Sequence, residues 1–458
     1  MGLSVCAAAG QGLGSPTNIE GSNHTMFKST RRGKMVKVAA AAAAVGSIAA
    51  IGFVGNSPAQ ADPLQYTDPI FGFGSDTLQD VTNAFAGYSN DNFFTPVQSD
   101  NGKVIVSWDA FDPSAADATV PNCITTKVGT GQMLRPNGSG NGWISLSSAV
   151  SNQDWPRSGS ACGGPRKVGG LVDFARSSGG PAGRANPNGP LQFIPAFKDA
   201  LHWAYVRPTG SPVTDLSPVQ LSALHTTGPQ LIGGVPVIAC GIQTGSGTYA
   251  TWMANNGIGV DPLGQDTGTA VCNGTGATPG TDGRLQENNS PDLLAKGLLL
   301  SSMQHPICDG ALGGDPVPCT NAQLIVGYSA SQFIARGNGV GSPDSNLSSQ
   351  NGGLGRIDGR QAVTGTAPNL APVQVAYDNA TFGRTVFYIV PFAAIQPGGD
   401  EQSPAITDMF VTSSPSDRAK FCLAAEPGEA PGTTIEKHGF LQIPNCGEAT
   451  AANRANLR

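Results

Sequence analysis

Glycine and proline interrupt this chain too often for any long regular element. The sequence holds 62 Gly and 35 Pro among 458 residues, about a fifth of the chain, where average usage would give nearer an eighth. A collagen triple helix needs glycine at every third position, and these glycines have no period. A coiled coil needs sustained runs of Ala, Glu, Lys, Leu and Arg, and those are missing. Charged residues make up 13% and hydrophobic ones 39%, with a net charge of −6, so charge repulsion does not keep the chain unfolded. What remains is a loop-rich globular protein with many tight turns, long enough for two or three lobes rather than one core.

The first sixty residues read as an address. Arg31, Arg32, Lys34 and Lys37 form a basic patch, and an Ala-rich apolar run follows from Val38 to about Val54. Ala59-Gln60-Ala61 then offers small residues at a cleavage site. This order is that of a secretory signal, so residues 1–61 are expected to be removed. The basic region is long, and translation from Met1, Met26 or Met35 fits the pattern. The run is short and weakly apolar for a membrane span, and no later stretch reaches 18 apolar residues. No Cys stands near the cleavage site to take a lipid. The chain is therefore expected to be soluble and either secreted or held at the cell envelope. The segment carries five Lys or Arg and one acid, Glu20, so the rest of the chain has a net charge of −10. That argues against a nucleic-acid partner.

Of nine cysteines only Cys6 lies in the address segment. An even remainder in an exported chain points to disulfides, whose connectivity the sequence leaves open. Pairing of sequence neighbours is the simplest expectation, because each pair closes a local loop: Cys123 with Cys162, Cys240 with Cys272, Cys308 with Cys319, and Cys422 with Cys446. No metal site is expected, since C-x-x-C is absent and His202, His225, His305 and His438 lack ligand spacing. These histidines read as structural or surface residues.

Along the chain, apolar positions at Leu78, Val81 and Phe85 predict a helix after a glycine turn, with Ser75 or Asp76 at its start. Val104–Trp108, Leu171–Ala175, Leu191–Pro195, Leu201–Val206, Val235–Ala239, Leu324–Val326, Val373–Tyr377 and Val386–Val390 read as strands. Trp143–Leu146, the segment opened by Ser217-Pro218, and Ala250–Asn255 read as helices. Residues 264–290, rich in Gly, Thr and Asn, look like an irregular insertion. Strands alternating with helices argue for an α/β class.

Three segments repeat one pattern of Gly with Ser or Thr where a helix begins: Gly74-Ser75-Asp76-Thr77, Gly138-Ser139-Gly140 and Gly245-Ser246-Gly247-Thr248. A fourth, Arg176-Ser177-Ser178-Gly179, follows a strand. One such loop alone is an ordinary turn or cap. Four together offer bare backbone N–H groups and small hydroxyls, the chemistry that binds a dehydrated anion. Fixed donors of this kind do not need a basic protein around them.

On these residues the chain resembles the periplasmic-type phosphate-binding proteins, the substrate-binding subunits of phosphate ABC importers, in particular their divergent secreted actinobacterial branch. Phe73–Thr77, Asn137–Gly140, Val172–Ser178, Ile194–Trp203 with Asp199, Leu216–Leu221 and Thr244–Thr248 carry the likeness. Weaker echoes at Leu354–Gly359 and Val386–Phe392 extend it, and residues 396–458 match no known pattern. The resemblance implies a two-lobe fold of the second periplasmic-binding type. Each lobe would be a mixed, mostly parallel sheet flanked by helices, with two crossover strands as the hinge. It implies a first lobe of residues 62–200 plus 327–458 and a second of 201–326. Ligand contacts then fall at Ser75, Asp76, Thr77, Ser139, Ser178, Ser246, Gly247 and Thr248. The implied function is capture of phosphate or a related oxyanion by a monomer, without cofactor or catalysis, for delivery to ABC permease subunits.

Two departures stand out. The family pattern has Asp where Ser178 stands, and Arg a few residues before the third glycine loop, near Ile242. Asp76 and Arg176 are the expected compensation, Asp76 accepting a phosphate proton and Arg176 pairing with the anion through its planar fork. The alternative places Arg176 as a hinge or surface residue paired with Asp173 or Asp76. An ionised Asp in the site would reject sulfate, which has no proton to share.

Other chemistries lack their residues. There is no G-x-S-x-G elbow and no Walker loop, and Asp309–Asp315 has the wrong spacing for calcium. The five tryptophans read as core, with Trp143 the one that could line the site. A phosphatase finds no nucleophile or metal constellation. The competing reading is an extracellular scavenging or surface-interaction module on the same fold, with another ligand and no transporter.

Overall fold

The computed structural model describes residues 69–458 except 91, 112–122, 182, 244, 257–283, 311–314, 342–346 and 348–350. The address segment, Thr244 and Cys272 lie outside the described residues. The described residues belong to one unit, Ser57–Arg458.

The elements that position the site are β1 (Ile70–Gly74), α1 (Gln79–Phe85), β2 (Ile105–Ser107), α2 (Gly138–Val150), β3 (Phe174–Ser177) and β4 (Leu191–Val206). They continue as α3 (Pro218–Thr226), β5 (Gln230–Ile232), β6 (Val235–Ile242), α4 (Gly247–Asn255), β7 (Arg284–Leu285) and α5 (Ser290–Leu298). The last are β8 (Gln323–Ser329), α6 (Ala330–Gly337), β9 (Gly353–Ile357) and β10 (Gly383–Pro391). The expected α/β class is what forms: one mixed sheet with main path β5-β6-β8-β4-β10-β3-β1-β2, flanked by helices. β1 pairs in parallel with β2 and β3, and β6 with β8, while β4 runs antiparallel to β8 and β10.

β1 shows why helices cover both faces. Successive side chains of a strand point to opposite faces. Ile70 enters a core cluster with Leu78, Val81 and Phe85 of the first helical segment, whereas Phe71 and Phe73 enter another with Trp143 and Leu146 of α2. A third cluster, built on Leu201–Val206 with β6 and β8, lies further along the sheet.

β4 links these cores. Its first half pairs with β10 from Leu191↔Pro391 to Ala200↔Gly383, and its second half with β8 from Leu201↔Ser329 to Val206↔Leu324. The two strands expected over Leu191–Pro195 and Leu201–Val206 are thus one element of 16 residues. Its interior, Ala196 to Ala200, includes Lys198 and Asp199, whose charges disguise it as a break; Asp199 is buried only because it is paired.

Three other expectations shift. The strand expected at Leu171–Ala175 forms at Phe174–Ser177, because β1 binds main chain as far as Arg176. Val373–Tyr377 is not a strand: Gln374–Tyr377 is one helical turn, with Val375 exposed and Ala376 and Tyr377 buried. The described residues of the 264–290 insertion include β7 and the start of α5. The helix after Leu216 has a full capping box, in which Ser217 accepts from Gln220 N and Gln220 reaches back to Ser217 N; this satisfies two otherwise orphan donors.

Six of the described cysteines pair as sequence neighbours: Cys123–Cys162, Cys308–Cys319 and Cys422–Cys446. No helix among the described residues is long and apolar enough to cross a membrane.

Candidate functional site

Four chain segments meet where β1, β3 and two helix starts converge. β1 ends at Gly74 and hands Ser75, Asp76 and Thr77 to the turn before α1. α2 begins at Gly138 and α4 at Gly247, with Ser246 as its cap, accepting from Tyr249 N at 3.0 Å. Ser178 follows β3 directly.

Glycine makes the approach possible. Gly140 N donates to Gly245 O at 2.7 Å, so the α2 and α4 loops touch through main chain. Gly138 takes φ +82°, and a Cβ there would stand 2.7 Å from Gly245 O. A Cβ on Gly247 would stand 2.6 Å from Ser178 Oγ and 2.7 Å from Ser139 Oγ. Separations below 3.0 Å are not tolerated, so the hydroxyls could not converge around a larger residue.

The hydroxyls form a connected set. Ser139 Oγ lies 3.1 Å from Ser178 Oγ and accepts from Ser178 N at 3.1 Å. Thr248 Oγ1 lies 3.4 Å from Ser178 Oγ and 3.3 Å from Thr77 Oγ1. Thr77 Oγ1 donates to Glu287 Oε1 at 2.7 Å. Thr248 Oγ1 also donates to Glu287 Oε1, and Ser246 Oγ donates to Glu287 Oε2. Glu287 is 0% exposed, and its carboxylate is the anion at the centre of the set.

The cation is Arg384 on β10. Its Nη1 donates to Thr248 Oγ1 at 2.7 Å and its Nη2 to Thr77 Oγ1 at 3.1 Å. Asp199, its cross-strand partner on β4, takes Nε at 2.9 Å and Nη2 at 2.7 Å on Oδ2. The other carboxylate oxygen of Asp199 accepts from Ser329 Oγ and Ser331 N. Neutralised and fully hydrogen-bonded, this pair can stay buried.

Asp76 stands beside the set. Its Oδ2 accepts from Gln286 Nε2 at 2.7 Å and Gln243 Nε2 at 3.2 Å, while Oδ1, like Ser75 Oγ, is buried without a hydrogen-bond partner among the described residues. Burial holds its carboxyl well above the usual range, and the Glu287 charge raises it further, against smaller opposing effects of Gln286, Arg176 and Gln243. A buried carboxyl avoids ionisation unless it is compensated.

Arg176 lies beneath the loop and is not brought to the hydroxyl set. Its guanidinium donates to Ser75 O at 3.1 Å, Trp108 O at 2.9 Å and the Ser107 hydroxyl, and desolvation lowers its pKa. In this structure it ties β1, β2 and the Ser75 turn together. Of the expected residues, Thr77, Ser139, Ser178, Ser246, Gly247 and Thr248 come together and Asp76 adjoins them, whereas Ser75 bonds through its main chain to Arg176. Trp143 packs on Phe193, ring centres 4.9 Å apart.

The residues that reading by sequence missed are Glu287, Gln286, Gln243 and Arg384. Glu287 and Gln286 sit in the stretch that reads as an irregular insertion, where only an acid flanked by Gln and Asn could have marked them. Arg384 lies two residues before the Val386 echo and could have been found there. Among the described residues, no cluster of three His, Cys, Asp or Glu could hold a metal.

No family model and no curated sequence matches the chain. Solved structures with similarity include a Clostridium perfringens protein assigned as a phosphate ABC transporter substrate-binding protein, with phosphate bound. It covers 82% of this chain and 100% of its own, at 11% identity and TM-score 0.40. An ABC-type phosphate transport receptor from Vibrio cholerae covers 82% and 100%, at 12% identity and TM-score 0.38. A phosphate-binding protein from Stenotrophomonas maltophilia covers 83% and 92%, at 10% identity and TM-score 0.39. Likenesses this remote carry no inference about ligand or partner.

Proposed function

We propose that this chain is an exported solute-binding protein that captures phosphate or a related oxyanion and delivers it to an ABC importer, without chemistry of its own. The observation that carries the reading is the convergence of Thr77, Ser246 and Thr248, from distant parts of the chain, on one buried carboxylate, with Arg384 behind two of them. A set of hydroxyl donors that holds a carboxylate out of water has the chemistry to hold a free oxyanion. The helix starts of α2 and α4 add favourable dipoles.

In this reading residues 62–200 with 327–458 make one lobe and 201–326 the other. The change of partners midway along β4 supports its role as a crossover between them. Once ionised, Asp76 would accept the proton of a protonated phosphate on Oδ1, which has no partner among the described residues, whereas sulfate has none to give. The actinobacterial branch, the signal segment, the permease partner and the monomeric state belong to the same proposal. Calorimetric titration of the purified protein with phosphate, arsenate and sulfate tests it: phosphate and arsenate bind and sulfate does not. Absence of binding by all three overturns the reading.

A further inference from the structure

We infer that Glu287 is a built-in, displaceable occupant of the oxyanion site, so that a ligand enters by exchanging with its carboxylate; the inference rests on the oxyanion reading above. Among the described residues, every donor to the Glu287 carboxylate from outside its own turn is a residue the anion itself would use. Thr77 and Thr248 serve Oε1, and Ser246 serves Oε2. A hydroxyl has one proton to donate. Because each of these protons already points at Glu287, a phosphate cannot take them while the carboxylate stays.

The surroundings make Glu287 a poor permanent resident. Its donors are neutral, and Arg384 reaches only the oxygens of Thr77 and Thr248 while its charge is taken up by Asp199. Asp76 lies close enough for the Glu287 charge to push its carboxyl up, and Asp76 Oδ1 has no donor among the described residues. Two buried carboxyls with one unpartnered oxygen are poorly compensated. A tetrahedral anion carrying a proton would satisfy the same hydroxyls and also Asp76 Oδ1, which Glu287 cannot do.

The backbone allows the exchange. Glu287 and Asn288 form a turn between β7 and α5 rather than part of either element, and Asn288 takes φ 52°. The turn is held by Gln243, whose side chain accepts from Glu287 N, and by Asn288 Oδ1, which accepts from Ser329 N at 3.0 Å. Neither bond involves the Glu287 carboxylate, whose one contact within the turn is a long one from Asn288 Nδ2 to Oε1 at 3.4 Å, so it can leave while these two bonds keep the turn.

The consequence is an affinity kept below what the donors could reach, since a ligand meets a competent site only when Glu287 has left. Phosphate titration of the wild type, Glu287→Gln and Glu287→Ala, with thermal melts confirming folding, tests this. We expect both variants to bind phosphate tighter, by about tenfold or more. Equal or weaker binding by the folded variants, with wild-type binding intact, overturns the exchange and leaves the oxyanion reading standing. No binding by any of the three overturns both. A structure of the wild type with phosphate is the independent arm: Glu287 is expected away from Thr77 and Thr248, and retention of both contacts beside bound phosphate overturns the inference.

Discussion

Asp199 and Arg384 face each other across β4 and β10, with Arg384 Nη2 2.7 Å from Asp199 Oδ2. The pair sits one residue before β4 exchanges β10 for β8 as its partner. The same guanidinium reaches Thr77 and Thr248. One ion pair therefore ties the sheet's change of partners to the hydroxyl set, and damage to it should register in both stability and binding.

Asp199→Ala leaves the Arg384 charge buried and unpaired, which costs about 3–5 kcal/mol. Chemical denaturation should show a midpoint lowered accordingly. An unfolding free energy within about 0.5 kcal/mol of wild type, the range of a neutral surface change, would show the pair to be incidental.

Gly247→Ala pushes a methyl against Ser178 Oγ and Ser139 Oγ, which lie 2.6 and 2.7 Å from its ideal position. Overpacking of this kind costs about 1–3 kcal/mol, and the hydroxyls must turn away. Oxyanion affinity should fall while the fold survives. Gly169→Ala, whose methyl meets nothing closer than 3.8 Å, should leave affinity unchanged; equal loss in both variants would refute the crowding argument.

Asp76 gives a pH dependence of definite sign. Its carboxyl is raised in the folded protein, first by burial and then by Glu287. The folded state thus holds the proton more tightly than the unfolded chain does, whose carboxyl titrates near about 3.9. Its contribution to ligand-free stability is present in full below that pH and is lost as pH rises through the folded value. Asp76→Asn should abolish this part of the pH slope and raise the melting temperature at neutral pH. Identical melting curves against pH for the two proteins would contradict it.

The Cys422–Cys446 bridge closes a separation of 24 residues in the chain that matched no pattern, with both sulfurs' residues in the core. Replacing both by Ala should cost about 3–4 kcal/mol through the entropy restored to the unfolded chain. An unchanged melting temperature would contradict a stabilising role.

Much of this was legible in advance, where local chemistry decides structure. The Ser217-Pro218 helix start, the helix of Leu78, Val81 and Phe85, and the neighbouring cysteine pairs depend on residues close in sequence. The glycine loops were legible because a bare backbone beside hydroxyls has few other uses. Arg176 stands two residues before Ser178, which suggests the anion, yet the strand ends at Ser177, and the Arg176 fork reaches main-chain oxygens beneath the loop instead. Glu287 was hidden because its meaning is wholly tertiary: no spacing relates it to Thr77, 210 residues away. Val373–Tyr377 shows β-branched propensity overruled by context.

The central claim is that the hydroxyls around Glu287 form an oxyanion site. Phosphate titration of wild type beside the double variant Thr77→Val, Thr248→Val tests it most directly. Each lost hydroxyl bond to a charged acceptor is worth about 1.5–3 kcal/mol. The account predicts saturable binding of one phosphate by the wild type and a loss of at least about a hundredfold in the folded double variant. Undiminished phosphate binding by that variant would contradict it.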